Sequence, residues 1–186
     1  MNVYEAIKER RSIRRFLKEG IDETSLKMLL EAVRWSPSWA NSQCWEVIVV
    51  TRPELKEKIA SLLSPRNPAK DAIREAPVIF VMCARKGLSG HKAGRPVTDK
   101  GDWWYMFDVG LATQNLCLLA HSIGLGSVIV GNFDHKGVTS LLGVPEGVDV
   151  VALIPVGKPA EKPSPPLRKE IREFAHAETW DREFEI

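Results

Sequence analysis

Four arginines crowd one short stretch near the start of the chain. The octet ERRSIRRF, residues 9–16, carries guanidinium groups and one hydroxyl, at Arg10, Arg11, Arg14, Arg15 and Ser12. Guanidinium forks, a hydroxyl and free backbone N–H groups within so short a span suit bidentate recognition of a phosphate dianion. A solvated basic turn is the plainer interpretation, since charge runs usually decorate a surface. A nucleic-acid interface is disfavoured because no second basic patch with interleaved aromatic residues accompanies the octet.

A second group of polar side chains lies in the stretch SPSWANSQCW, residues 36–45. It crowds hydrogen-bonding groups between an amphipathic helix and a buried strand, at Ser36, Ser38, Asn41, Ser42 and Gln43. A loop of this kind can bind the edges of a planar heterocycle. Asn and Ser beside proline also form ordinary turns, so both interpretations stay open.

The stretch GLGSVIVG, residues 124–131, has glycines that only superficially resemble a dinucleotide fingerprint. In that fingerprint a strand comes first, then the glycines, then a helix, and here the order is reversed. A Rossmann site is therefore rejected. Gly131, predicted at a strand end, would instead permit a ligand to approach the backbone closely.

Other reactive residue types carry weaker signals. The histidines are scattered, at His91, His121, His135 and His176, and we expect surface or satisfied core positions rather than a catalytic base. Three widely separated cysteines, Cys44, Cys83 and Cys117, form neither a CxxC pair nor a zinc pattern. We expect no metal, with Cys83 and Cys117 buried as small hydrophobic residues in a reducing compartment.

Helices and strands alternate along the chain. Apolar spacing predicts helices that begin after Asn2 and Asp22, and further helices over 54–63, 102–123 and 138–142. Short β-branched or apolar runs predict strands over 46–51, 78–84, 128–131 and 150–157. The glycine-rich stretch 86–101 is predicted to be a mobile surface loop, and the proline-rich stretch 159–166 an extended linker.

Length and composition indicate one domain over 1–186, with 159–186 as linker and tail. Charge is nearly balanced, at 26 Lys plus Arg against 24 Asp plus Glu, so we expect neither nucleic acid nor membrane as partner. No apolar run approaches the ~20 residues of a membrane helix, so a cytoplasmic protein is expected.

Two segments have more apolar surface than they can bury alone. The helix over 102–123 is apolar around much of its circumference and must be buried on most sides, which a second subunit could accomplish. The tail adds Trp180, Phe184 and Ile186, and we expect it to cross onto another surface.

Taken in order, these motifs resemble the nitroreductase family of FMN-dependent oxidoreductases. RRSIRRF is similar to the family's N-terminal phosphate motif, PSWANSQCWEVIVV to its flavin-edge loop, and DVGLATQNLCLLAHSIGLGSVIVG to its central helix and following strand. The resemblance runs from about residue 3 to residue 170. It departs at Cys44, where the family commonly has proline, and is loose at the C-terminus.

The resemblance implies a set of FMN contacts. Arg10 and Ser12 would hold the phosphate and ribityl oxygens, with Arg11 assisting, and Arg14 would lie near the pyrimidine edge. The remaining implied flavin contacts are the ring loop at Pro37, Ser38, Asn41 and Gln43, the backbone facing N5 at Val130 and Gly131, the second phosphate site at Arg168 and Lys169, and less certain contacts at Asn67 and Lys70. Aromatic residues that could line an acceptor pocket are Trp39, Trp103, Trp104 and Phe107. For the last three, a position in the core or at a dimer interface is an equally open interpretation.

The resemblance also implies an α+β fold with a central, mostly antiparallel sheet flanked by helices, and a homodimer with FMN at the interface. The implied activity is ping-pong transfer of hydride from NADH or NADPH through flavin N5 to nitroaromatic or quinone-type acceptors, with no protein acid or base required. Two alternatives stay open: a dehalogenase or flavin-fragmenting enzyme on the same scaffold, and a flavin-binding regulatory protein without turnover.

Overall fold

Helices cover both faces of a four-stranded antiparallel sheet in the computed structural model, which describes residues 1–184. The strands, in spatial order, are β1 (Trp45–Val50), β2 (Val78–Arg85), β6 (Val148–Gly157) and β5 (Gly126–Ser127). A separate two-residue hairpin is formed by β3 (His91–Lys92) and β4 (Arg95–Pro96). The predicted α+β class with a mostly antiparallel sheet is confirmed.

The described part of the chain forms six α-helices around this sheet: α1 (Val3–Glu9), α2 (Glu23–Arg34), α3 (Pro53–Ser61), α4 (Lys70–Glu75), α5 (Trp104–Ser122) and α6 (His135–Leu142). The first two begin where the sequence predicts. Asn2 and Glu5 form a reciprocal capping box, and the side chain of Asp22 accepts from the backbone N–H of Ser25.

Strand β2 separates two hydrophobic cores because its side chains alternate between the two faces of the sheet. Ile79, Val81 and Cys83 pack with α3, α4 and α6. Phe80 and Met82 pack on the other face with α2 and α5. The protein therefore has three layers, with the sheet between α3, α4 and α6 on one face and α2 and α5 on the other.

Helix α5 is buried on one side only. Val109, Ala112 and Leu116 lie in the second core, whereas Phe107 on the opposite side is 59% exposed. The predicted burial on most sides is thus not reached within one chain. Apolar tail residues Trp180 and Phe184 are exposed as well, while Ile186 lies outside the described residues.

The predicted strand over 128–131 is wrong in its position. The paired strand is β5 (Gly126–Ser127), and within the predicted range Val130 forms an isolated bridge with Leu153 of β6. Between these points the antiparallel register would place Val128 opposite Pro155. Proline has no N–H to donate to the ladder, so pairing is interrupted there.

The stretch 86–101, predicted to be a mobile surface loop, is mostly exposed and contains more regular structure than the sequence indicated. This stretch contains the β3–β4 hairpin, and Ser89 is buried. The Val97 N–H donates to the Gly90 carbonyl at 3.0 Å, and Trp104 at the start of α5 donates to Thr98 Oγ1 at 2.9 Å. These bonds attach the stretch to the beginning of α5.

None of the helices within residues 1–184 combines the length and apolar character needed to cross a membrane. Cys44, Cys83 and Cys117 are all buried free thiols.

Candidate functional site

The arginine-rich octet is an extended segment whose backbone is fixed on both sides. The Ile13 N–H donates to the Ser127 carbonyl of β5 at 2.9 Å. The Arg15 carbonyl accepts from Ala160 N–H at 2.9 Å, and the Arg14 N–H donates to Glu161 Oε1 at 2.5 Å. The segment therefore runs between β5 and the start of the proline-rich linker.

The four arginine side chains of the octet differ in their partners. Arg15 pairs with two carboxylates of α4, Asp71 at 3.5 Å and Glu75 at 3.3 Å. Arg10 and Arg14 form no such pair among residues 1–184, and the Nε atoms of both are shielded from solvent without a hydrogen-bond partner. A shielded guanidinium donor without a partner is costly. A solvated basic turn does not explain these two side chains, whereas an anion would satisfy them.

A hollow of about 540 Å³ adjoins this segment. Its lining includes acidic, basic and uncharged polar side chains, namely those of Glu9, Arg10, Arg11, His121, Ser127, Glu161 and Lys162. The side chains of Ser12 and Arg14 lie outside that lining. Burial lowers the pKa of His121, and the positive charges of Arg10 and Arg11 lower it further, against an opposing effect of Glu9. The donor set at the Arg10 end fits a phosphate group.

The polar loop 36–45 is a strained turn. Ala40, Asn41 and Gln43 have positive φ angles of 47°, 53° and 47°. Such left-handed backbone is unfavourable for residues other than glycine and persists only where the surroundings impose it. Within the loop, Ser38 Oγ accepts from the Gln43 N–H at 2.9 Å.

The surroundings that impose this conformation centre on Asp108 of α5, a residue that the sequence interpretation missed. Its carboxylate accepts from the Trp39 N–H at 3.0 and 3.2 Å and from Ser42 Oγ at 3.2 Å. Cys44 Sγ donates to the same carboxylate at 3.6 Å. The available signal was an acidic residue inside an otherwise apolar helical pattern.

Cys44 is therefore a hydrogen-bond donor within this turn. Burial, followed by the nearby negative charge of Asp108, raises the pKa of Cys44 to about 11. The thiol is protonated at neutral pH and is a poor nucleophile.

A hollow of about 230 Å³ lies beside the loop. It brings together three of the predicted acceptor-pocket residues, Trp39, Trp104 and Phe107, with Pro37 and Ser38 of the predicted flavin loop. The rings of Trp104 and Phe107 meet edge to face, with centroids 5.6 Å apart. Trp103 is 69% exposed and lies outside this lining.

The Val130–Gly131 segment is held by its own contacts. Val130 and Leu153 exchange two backbone hydrogen bonds of 3.0 and 2.9 Å. The ring nitrogens of His135 lie 3.1 Å from the Gly131 carbonyl and 2.8 Å from the Val150 carbonyl. A Cβ added at Gly131 would meet no atom within 4 Å, so the space beside this residue is open to a ligand.

The less certain residues are placed as follows. The Asn67 amide donates to the Asn132 carbonyl at 2.8 Å, next to the Val130–Gly131 segment. Lys70 begins α4. Arg168 and Lys169 are exposed, and Arg168 Nη1 donates to the Leu167 carbonyl at 3.2 Å rather than lining the arginine hollow.

The two hollows lie towards opposite ends of α5 and share no lining residue. The helical rise puts Asp108 and His121 roughly 20 Å apart along this helix. One chain therefore does not bring the arginine segment and the polar loop around a common space.

Residues 7–158 match the model of the Nitroreductase family. A protein of Methanothermobacter thermautotrophicus named NADH dehydrogenase/NAD(P)H nitroreductase is 34% identical over 88% of this chain and 80% of its own length. An FMN reductase [NAD(P)H] of Bacillus subtilis is 27% identical over 99% of this chain and 76% of its own. A 5,6-dimethylbenzimidazole synthase of Rhodobacter capsulatus is 30% identical over 88% of this chain and 86% of its own.

The fold is similar to that of solved structures with related names. The crystal structure of a nitroreductase family protein from Clostridium novyi aligns with a TM-score of 0.77 and 29% identity, over 99% of this chain and 97% of that one.

Proposed function

Because the chain is an enzyme of the nitroreductase family, we propose that it binds FMN and transfers hydride from NADH or NADPH to nitroaromatic or quinone-type acceptors by a ping-pong mechanism. The observation that carries this proposal is the pair of shielded Nε atoms at Arg10 and Arg14, which have no hydrogen-bond partner in the described part of the chain. They lie on a backbone that other contacts already hold, so their side chains are free to bind an anionic ligand.

Arg10 would bind the FMN phosphate, with Ser12 and Arg11 on the same segment contributing further donors. Arg14 would lie at the pyrimidine edge of the ring, where a cation stabilises negative charge that develops on reduction. FMN, when bound, supplies the redox chemistry by accepting hydride at N5 and passing electrons to a second substrate. The chain's own task is to bind, orient and shield the reactants.

The open side of Gly131 supports the assignment of the Val130–Gly131 backbone to the N5 side of the ring. Pro37, Ser38, Asn41 and Gln43 belong to the preformed turn that we assign to the ring edge. Beside that turn, Trp39, Trp104 and Phe107 offer aromatic faces on which a planar acceptor can stack.

We further propose that the working form is a homodimer whose sites take the arginine segment from one copy and the polar loop from the other. The separation of these two regions along α5 supports this, because one flavin could then contact both only across an interface. The uncovered apolar surface of α5 and of the tail, including Phe107 and Trp180, gives such an interface its driving force. We assign Arg168 and Lys169 to the second phosphate-binding position, which they would occupy in the dimer with FMN bound.

The test is reconstitution followed by anaerobic reduction. Purified protein is mixed with FMN, freed of excess ligand, and titrated with NADPH or NADH while the flavin absorbance is followed. We expect a stoichiometric yellow complex that bleaches, then regains colour when a quinone or nitroaromatic is added, and parallel double-reciprocal plots at steady state. Protein that takes up no FMN would refute the proposal, and bound FMN that neither nucleotide reduces would indicate a binding protein without turnover.

A second candidate is a specialised reaction, favoured by the similarity to the dimethylbenzimidazole synthase of Rhodobacter capsulatus. The same reconstituted protein, incubated in air with NADPH and excess FMN, would then consume the flavin itself. Mass spectrometry distinguishes the two, since the oxidoreductase leaves the FMN concentration unchanged.

A further inference from the structure

Asp108 has an environment unusual for a carboxylate. The residue is 1% exposed and lies on α5 between Phe107 and Val109, in a helix that otherwise contributes apolar groups to the second core. Burying a carboxylate is costly unless hydrogen bonds compensate it. Hydrogen bonds to the Asp108 carboxylate must therefore offset the free-energy cost of its burial.

All the donors to this carboxylate given above come from one segment, the polar loop. Trp39 contributes a backbone N–H shared between the two oxygens, Ser42 a hydroxyl, and Cys44 a thiol. These donors flank the residues with left-handed backbone, Ala40, Asn41 and Gln43. Charge-assisted bonds from both ends of the turn offset its backbone strain.

The same carboxylate lies against the aromatic hollow. Asp108 is part of the lining together with Trp39, Trp104 and Phe107. Because its oxygens are engaged by the loop, the carboxylate fixes the loop rather than presenting a free charge to a substrate. The position of Trp39 in the hollow depends directly on the bond from its N–H to Asp108.

We propose that Asp108 is a positioning residue that fixes loop 38–44 in its strained conformation and thereby shapes the acceptor hollow. The identity of the ligand that the loop serves rests on the proposed function. The positioning role itself concerns only this chain and is measurable without flavin.

The main test compares Asp108→Asn with wild type by peptide-resolved hydrogen exchange in flavin-free protein. Asparagine keeps the shape but replaces one acceptor oxygen by an NH₂ donor, which would face the donors of the loop. We expect exchange in peptides covering residues 38–44 to become roughly tenfold faster, with β2 peptides unchanged. Unchanged loop exchange, or an equal increase throughout β2 and α5, would overturn the proposal in favour of general stabilisation.

Alkylation of Cys44 provides a second readout in the same samples. Removing the negative charge lowers the pKa of this thiol and a released loop exposes it, so its alkylation at pH about 8 should accelerate in Asp108→Asn. Cys83, whose pKa burial raises to about 12, is the internal control and should react as slowly as in wild type. A Cys44 rate equal to that of wild type counts against the proposal.

Ser42→Ala is a milder second variant that keeps the proposal testable if Asp108→Asn does not fold. It removes one donor while the buried charge and the Trp39 bond persist, so loop exchange should rise about threefold. In flavin-loaded protein, both variants should raise the KM for the acceptor more than they lower kcat. If wild type itself binds no FMN, the proposed function fails, while the exchange and alkylation results still decide the role of Asp108.

Discussion

The backbones of the arginine segment 9–16 and the polar loop 36–45 are held in place in different ways. In the segment, backbone bonds to Ser127 and Ala160 hold the chain, and the Nε atoms of Arg10 and Arg14 have no hydrogen-bond partner among residues 1–184. In the loop, the backbone adopts a strained turn that a side chain of another element, Asp108, holds in place.

This difference predicts whether a substitution changes ligand affinity or the shape of the site. Removing Arg10 or Arg14 from the segment should cost ligand affinity and little stability, because the backbone contacts persist. A change in or beneath the loop should alter the shape of the site, because the turn has no ladder of its own. The following changes test that contrast, in order of decreasing expected effect.

Arg10→Ala should give the largest effect. Loss of one charge-assisted bond to phosphate is typically worth about 1.5 to 3 kcal/mol, or a roughly 10- to 150-fold weaker Kd for FMN. Fluorescence titration of FMN measures it, and thermal melting should show little change. Arg15→Ala is the matched control, since its partners are Asp71 and Glu75, and it should retain wild-type affinity. Equal losses in both variants would contradict the distinction between the two arginines.

Gly126→Ala should disturb the backbone attachment of the segment. Its Cβ would lie 2.7 Å from Ile13 Cγ1, so the segment or β5 must shift. We expect a loss of about 1 to 3 kcal/mol in the free energy of unfolding, measured by urea denaturation.

The control for this change is Gly131→Ala, where an added Cβ meets nothing within 4 Å. It should leave the free energy of unfolding unchanged and weaken FMN binding, because the methyl group would fill the space assigned to the ring. Wild-type FMN affinity in this variant would remove the Val130–Gly131 backbone from the proposed site.

His121 should make stability depend on pH in the flavin-free protein. Its pKa in the folded state lies below the ordinary value of 6.5, so the unfolded chain binds more protons as the pH falls through that value. The contribution of neutral His121 to the free energy of unfolding is therefore fully present above pH about 6.5 and is lost as the pH decreases below that value. His121→Gln should flatten this slope, as urea denaturation at several pH values would show. A slope identical to that of wild type would mean that His121 is not the titrating group.

Ala40→Gly should have the smallest effect. Glycine adopts the positive φ of 47° without strain, which offsets the greater flexibility of the unfolded chain. We expect a change within about 1 kcal/mol, on the stabilising side. Ala32→Gly in the interior of α2 is the control and should destabilise by about 1 kcal/mol. A marked loss of stability in Ala40→Gly would mean that the methyl group, not Asp108, holds the turn.

Much of the fold could be predicted because its signals are local. The capping box of Asn2 and Glu5, the apolar stripe after Asp22 and the β-branched runs of β1 and β2 each act over a few residues. The strand placed at 128–131 failed because its pairing depends on Pro155, a residue whose opposite neighbour no local pattern identifies. The hairpin within 86–101 was not predicted for a similar reason, since Trp104 of a later element contacts this stretch.

The sequence alone therefore determined which residues could bind a phosphate or surround a planar ring, since those properties belong to side-chain chemistry and local spacing. Only the tertiary structure decided that Arg15 is neutralised by α4, that Arg10 and Arg14 form no ion pair within residues 1–184, and that Asp108 holds the polar loop. The physical reason is that charge compensation and hydrogen bonding depend on distances between chain segments, which residue order does not specify.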